Sequence, residues 1–377
     1  MAGIYLHIPF CRQACHYCDF HFSTSLRSKE SLLDALHTEL RSRSHYLEGQ
    51  PIETIYFGGG TPSLLNAEEL QRILDVIFQH YQVVREAEIT LEANPDDLTY
   101  HKILELKRTP INRLSIGIQS FRNEDLQWMN RAHTAAQADF SVKCAQDRGF
   151  ENITVDLIYS IPGLSNSAWK QNIQKAIDLE VSHISAYSLT VEPKTVLGHQ
   201  HAKGEMQPVA DAVSEEHFLT LRQLLLRSGF EQYEVSNFCR PNMHSRHNSA
   251  YWNGDHYLGV GPSAHSYNGQ SRQWNVANNA QYIRAIQDGA PKFELELLTN
   301  TVRYNEYVMT RLRTKWGIDL NHIKQAFEID ILECERDRIE QWQQREMLVI
   351  NNHIIQLTEK GLLHADRIAS DLFIVES

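Results

Sequence analysis

Short apolar runs recur along the first half of this chain, and each is followed by residues with apolar side chains at helical spacing. That alternation limits the fold more than any other feature. Residues 4–8, 52–57, 88–93, 113–119, 152–159 and 183–191 read as strands. Between the first two, residues 28–47 place Leu32, Leu33, Leu36 and Leu40 on one helical face. Asn66, three residues before Glu69, predicts a capped helix start, after which Leu70, Ile73, Leu74, Ile77, Phe78 and Tyr81 recur with helical period. Further helices are expected from about residue 97, over 123–130, over 135–148 with Gly149 as the stop, and over 167–179. Strands separated by helices imply a parallel sheet with right-handed crossovers. Six strands are fewer than the eight of a closed barrel. The expectation is an α/β protein with a partial, open (β/α)6 barrel over residues 1–205.

The rhythm then changes. A long amphipathic helix is expected near 209–228, carrying Phe218, Leu221, Leu224 and Leu225. Residues 231–279 are rich in Asn, Gly, His, Tyr and Trp with weak periodicity, so 206–295 reads as an irregular extension. A loop-rich segment of that length is usually functional. Residues 296–377 read as helices followed by a hairpin at 347–355, a mainly helical, winged-helix-like domain. The net charge of −11 argues against duplex nucleic acid as the main partner, so such a unit reads as a structural lid. No apolar run reaches the ~18 residues of a membrane span. The N-terminus lacks a basic stretch followed by an apolar one. A cytoplasmic location is the expectation.

Three of the six cysteines crowd together as Cys11, Cys15 and Cys18, just after the first strand; Cys144, Cys239 and Cys334 are scattered. In a reducing compartment a tight cluster reads as metal-binding or catalytic. The end of a strand in an α/β sheet is the rim where ligands bind. Three thiolates can hold three corners of a cubane iron–sulfur cluster and leave the fourth iron open for a small molecule. The alternative is a closed tetrahedral zinc site completed by His16 or His21.

The run from Cys11 to Cys18 resembles the C-x3-C-x2-C signature of radical SAM proteins. Along its whole length the chain is similar to the oxygen-independent coproporphyrinogen III oxidase family, specifically the HemW heme-chaperone branch. The resemblance implies a [4Fe–4S] cluster on Cys11, Cys15 and Cys18, with S-adenosylmethionine chelating its open iron. It also implies that Gly59, Gly60 and Thr61, at the glycine-rich end of the second strand, contact the methionine part of that nucleotide. Glycines there let backbone approach a ligand closely. Tyr5, Glu92, Gln119, Arg131 and Asp156 are further S-adenosylmethionine contacts by the same resemblance. Glu92, Gln119 and Asp156 sit near strand ends, where polar groups on one rim ring a pocket. Arg131 can pair with a carboxylate.

Two departures from the oxidase pattern stand out. Phe20 occupies the position where the oxidases carry a further cysteine, and the motif begins too near the N-terminus for the oxidase's N-terminal extension. One feature is shared with the chaperone branch: His247-Asn248-Ser249-Ala250-Tyr251-Trp252 matches H-N-x-x-Y-W. A neutral imidazole is an axial heme ligand elsewhere, and flat aromatic rings suit a porphyrin. His247, Asn248, Tyr251 and Trp252 are therefore the expected heme contacts, with His265 a competing ligand. The function implied is binding heme and transferring it to acceptor proteins. By resemblance the acceptors include respiratory-chain hemoproteins; transient contact with a membrane protein and a homodimer are left open. The alternative is oxidative decarboxylation of coproporphyrinogen III, and a third reading is a zinc-stabilised binding module.

Overall fold

The computed structural model describes residues 2–375, so Met1, Glu376 and Ser377, at the ends of the expected segments, lie outside it. Six parallel strands run in sequence order: β1 (Ala2–Ile8), β2 (Ile52–Gly59), β3 (Val83–Ala93), β4 (Arg113–Gln119), β5 (Asn152–Tyr159) and β6 (His183–Ser188). Between them lie α1 (Lys29–Ser42), α2 (Ala67–His80), α3 (Tyr100–Leu106), α4 (Asn123–Trp128), α5 (Ala135–Asp147) and α6 (Asn166–Asp178). The expected capping box is present: Asn66 accepts from the Glu69 backbone while Glu69 reaches back to the Asn66 backbone.

Successive strand residues point to opposite faces. In β1, Ile4, Leu6 and Ile8 join the apolar cluster that includes Leu32, Leu36 and Leu70 from the helices. The alternate positions are polar and point inward. Thr54, Glu88, Thr90, Arg113, Ser115, Thr154, His183 and Ser185 are all buried. The barrel therefore has an apolar jacket and a polar bore.

The sheet is larger than the six strands expected. After α7 (Val196–Ala202) and α8 (Asp211–Arg227), β7 (Glu231–Gln232) and β8 (Asn237–Cys239) extend it antiparallel beyond β6. Helix α9 (Arg246–Asn253) follows. Then β9 (His256–Val260) pairs parallel to β1, with β10 (His265–Tyr267), β11 (Ser271–Asn275) and β12 (Phe293–Leu297) continuing outward. The result is a 12-stranded sheet in the order β12-β11-β10-β9-β1-β2-β3-β4-β5-β6-β8-β7. Much of the segment read as irregular is thus ordered. Strands of two to five residues are too short to show a period, and the pairing that joins β9–β12 to the barrel is far apart in sequence: Ala2 pairs with His256. The expected sixth strand also stops early, at Ser188 rather than residue 191.

Helix α10 (Asn279–Gln287) packs beside α1, and its Tyr282, Ile283 and Ile286 close the main apolar cluster. A second cluster begins at Tyr304 in α11 (Asn300–Leu312) and ends at Leu372. It surrounds a three-stranded antiparallel sheet in which β13 (Ile318–Asp319) and β14 (Leu348–Asn351) flank β15 (Ile354–Leu357). Helices with this small sheet form the winged-helix-like unit, and its hairpin lies where the sequence places one. No helix among the described residues is long and apolar enough to cross a membrane.

Candidate cofactor cavity

The cysteine loop leaves the carboxyl end of β1 and is held from the opposite side of the barrel. The Gln13 amide donates to the Asn130 carbonyl and side-chain oxygens at 2.9 and 2.8 Å. Asn130 returns a bond from its own amide to the Ala14 carbonyl at 2.7 Å. The His16 backbone N–H donates to Met129 O at 3.1 Å, and the His16 ring bonds Trp128 O at 3.0 Å. Asn130 has φ of 57°, a left-handed conformation that Asn tolerates better than most residues. The helix expected over 123–130 accordingly ends at Trp128, freeing the next residues to grip the loop.

Cys11, Cys15 and Cys18 are all free thiols and all line one cavity of about 540 Å³ at the carboxyl rim of the barrel. Thr61 Oγ1 donates to the Cys11 sulfur at 3.4 Å, and Arg131 Nη1 donates to the Cys15 sulfur at 3.3 Å. Donors aimed at sulfur favour thiolate ligands. Burial alone pushes the other way: it raises the Cys11 thiol and, with the neighbouring cysteines, pushes Cys18 up to about 12. Among the described residues no three His, Cys, Asp or Glu side chains are gathered to hold a single metal ion, as the zinc alternative requires. A cubane spreads its cysteine ligands over separate irons, so the three thiols on one loop fit it by donor type and by their common cavity.

The same cavity is lined by Gly59, Gly60 and Thr61 from the end of β2, by Glu92 from β3, and by Gln119, Arg131 and Asp156. Seven of the eight residues expected to contact S-adenosylmethionine thus meet the three cysteines. At Gly60 an added Cβ would lie 2.7 Å from the carbonyls of Ile8 and Phe10, so only glycine fits this turn. Gln119, with φ of 66°, is a strained position at a strand end. Arg131 is held by Asn94 Oδ1 and Gly117 O, each at 2.7 Å.

Two carboxylates face this space from within the polar bore. Burial pushes Glu92 up to about 7; the Tyr56 hydroxyl, donating at 2.8 Å, the Gly59 N–H and Arg113 oppose that, and Asp156 adds to it. Burial likewise pushes Asp156 up to about 6 against the hydroxyls of Ser115 and Ser185 and the guanidiniums of Arg113 and Arg131. Buried acids poised near neutrality suit a cationic ligand that also presents hydroxyls. S-adenosylmethionine carries a sulfonium, an amino acid end and a ribose, and these residues fit it.

Four expected site residues lie elsewhere. Tyr5 is not part of the cavity wall; its ring stacks beside Tyr56 and its hydroxyl bonds His7 Nδ1 at 3.1 Å. His247 is only 2% exposed. Its Nδ1 bonds Thr54 Oγ1 at 2.8 Å and its Nε2 bonds the Tyr251 hydroxyl at 3.0 Å. Both ring nitrogens are committed inside the barrel, so this conformation offers none to a heme iron. Tyr251 is held by that same bond. Trp252 is half-buried one turn beyond Asn248 and outside the cavity wall, with the Arg313 guanidinium 5.9 Å from its ring. Asn248, by contrast, reaches the cofactor cavity. The rival His265 is exposed at the start of β10 and stacks on Trp274.

Asn94, Tyr56, Arg113 and Ser115 also build the site, and the strand pattern carried a signal for them. Polar residues at every second position of a strand flanked by apolar ones mark an inward face. Arg113 and Ser115 follow that rule in β4, as Glu88, Thr90 and Glu92 do in β3.

Comparison with known proteins agrees with this geometry. Residues 5–176 match the radical SAM superfamily, and residues 298–364 match the HemN C-terminal domain. The chain is 33% identical over 375 residues to a protein of Mycobacterium tuberculosis (strain ATCC 25618 / H37Rv) named heme chaperone HemW, covering 98% of this chain and 94% of the other. It is 32% identical over 357 residues to the heme chaperone HemW of Lactococcus lactis subsp. lactis (strain IL1403), covering 95% and 93%. Among solved structures, coproporphyrinogen III oxidase (HemN) from Escherichia coli, a radical SAM enzyme, superposes with a TM-score of 0.83 at 22% identity, covering 99% of this chain and 90% of that one. This last likeness concerns the fold. With radical SAM and HemN C-terminal segments, and nearly full-length identity above 30%, the chain belongs to the HemW heme-chaperone family of radical SAM proteins.

Proposed function

We propose that this protein binds heme and passes it to acceptor proteins while carrying a [4Fe–4S] cluster on Cys11, Cys15 and Cys18 and S-adenosylmethionine in the adjoining cavity. The carrying observation is the convergence of three thiols and seven polar or glycine positions on one cavity, in a chain of this family. When bound, the cluster and nucleotide supply one-electron and radical chemistry; the protein's part is to bind, orient and shield them. Arg131 and Thr61 set donors on the cysteine sulfurs. Gly59 and Gly60 open backbone to the amino acid end. Glu92 and Asp156 face the cationic and hydroxylated parts.

For the porphyrin, Trp252 is the contact we favour within the H-N-x-x-Y-W helix. A half-buried indole beside the Arg313 guanidinium suits a flat ring with anionic propionates. Acceptors of respiratory-chain type, transient contact with membrane-embedded ones, a cytoplasmic location and a homodimer complete the reading. The outer edge of β12, unpaired among the described residues, supports the last of these.

The test is anaerobic reconstitution with iron and sulfide, then hemin titration in the Soret region, then mixing with an apo-hemoprotein. We expect about four irons per chain, a hemin-dependent Soret band, and loss of that band to the acceptor. Cys15→Ser should lose the cluster and keep heme binding. Cluster without heme binding, or protoporphyrinogen formed from coproporphyrinogen under reducing conditions, would replace this reading with the oxidase one.

A further inference from the structure

The H-N-x-x-Y-W helix lies against the barrel and sends its one buried side chain, His247, into the bore. Helix α9 begins beneath β2 and β3, where the buried Glu88 carboxylate accepts from the backbone N–H groups of Arg246 and His247, each at 3.1 Å. The His247 ring then fills the bore where Gly3 leaves space: a Cβ on Gly3 would lie 3.3 Å from the imidazole. The imidazole stacks on the Tyr56 ring at 4.9 Å with 21° between planes. Tyr56 in turn donates to Glu92 Oε1 at 2.8 Å, and Glu92 Oε2 accepts from Gly59 N–H at 3.2 Å. Both Glu92 and Gly59 are cavity wall. A continuous run of contacts therefore joins the motif histidine to two groups facing the cavity.

The neighbouring residue goes further. Asn248 itself lines the cavity. Its backbone N–H is used by Ser245, while its side-chain amide has no hydrogen-bond partner among the described residues. That half-buried amide offers both a donor and an acceptor to an occupant of the cavity.

We infer that His247 is a positioning residue of the nucleotide cavity, acting through Tyr56 on Glu92, and that Asn248 hydrogen-bonds the cavity's occupant. The first half of the family motif then serves the S-adenosylmethionine site, and the iron of heme is bound without His247. This rests on reading the cavity as a nucleotide site.

The experiment measures S-adenosylmethionine binding by equilibrium dialysis and hemin binding by Soret titration on the same cluster-reconstituted, full-length protein. Asn248→Ala removes one hydrogen bond to the ligand and should weaken nucleotide binding about fivefold. Tyr56→Phe keeps the ring stack and removes only the hydroxyl on Glu92; it should weaken nucleotide binding by a similar factor. His247→Ala should do the same or more, and His247→Gln, which can still bond Thr54 and Tyr251 but loses the ring against Tyr56, should recover only part of the loss. All four should keep the wild-type Soret position. A shifted or absent Soret band in His247→Gln, with nucleotide affinity intact, would make His247 a heme ligand and overturn the inference. Unchanged nucleotide affinity in both Asn248→Ala and Tyr56→Phe would overturn it as well, even if His247→Ala failed to fold. A wild-type protein that binds no S-adenosylmethionine would instead remove the nucleotide reading itself, a separate outcome.

Discussion

Glu92 concentrates the cost of building this cavity. Its carboxyl is raised to about 7 in the folded protein, against an ordinary value near 4.5. Between those values the folded state holds the proton more tightly than the unfolded one, so stability falls as pH rises through that window. A shift of this size corresponds to at most about 3 kcal/mol. The groups facing Glu92 are Tyr56, Gly59, Asp156 and Arg113, and Asp156, raised to about 6, slopes in the same direction. The melting temperature of the cofactor-free protein should therefore drop between pH 5 and pH 7, and Glu92→Gln should flatten part of the drop. A flat wild-type profile in differential scanning fluorimetry would contradict this assignment. Glu92 was legible as a site residue from its place at a strand end. Its coupling to His247 was not, because 155 positions separate them and only the barrel's closure brings Tyr56 between them.

At the scale of elements, the loop after α4 decides how firmly the cluster is held. Asn130 supplies two side-chain hydrogen bonds to the cysteine loop and sits in a left-handed conformation. Asn130→Ala loses both bonds and adds backbone strain, together about 2–3 kcal/mol of local stability. Bleaching of the cluster absorbance by a chelator should quicken accordingly. Asn130→Gly, which relieves the strain but not the lost bonds, should fall between. Equal bleaching rates in all three proteins would show that the clamp is idle. Helical periodicity predicted a helix through residue 130, since apolar spacing carries no record of which residue turns left-handed. The glycine turn was readable: Gly60→Ala drives a Cβ into two backbone carbonyls and should abolish cluster retention along with local order. Iron content and the circular dichroism melt would report both.

At the scale of the whole molecule, the sheet ends in β12, which among the described residues pairs only with β11. All five residues of β12 are exposed, with Phe293, Leu295 and Leu297 alternating on one face and Glu294 and Glu296 on the other. Such an edge can template pairing with another chain. Leu295→Lys should lower the apparent mass in concentrated solution, by light scattering, without changing iron content. No change in mass would leave β12 out of any self-association. The opposite architectural feature is α9. Its second and third residues serve the barrel bore and cavity, while its last, Asn253, accepts from Arg311 of α11 at 2.9 Å. One eight-residue helix thus touches both the cofactor cavity and the C-terminal unit.

What the sequence determined by itself was the repetitive and the local: strand–helix alternation, an apolar jacket at every second strand residue, a capped α2, and three cysteines within one loop. Each depends on spacings of a few residues, which hydrophobic period and turn chemistry write directly into the chain. Tertiary structure alone decided the rest. The six barrel strands became part of a sheet of twelve because strands too short to show a period paired onto both edges, one of them, β9, with a partner more than 200 residues away. His247 became part of the barrel's interior for the same reason. A histidine beside aromatic residues has the same composition whether it faces solvent or a bore. Only the position of α9 under β2 and β3, with Gly3 leaving room for the ring, settles which face it takes.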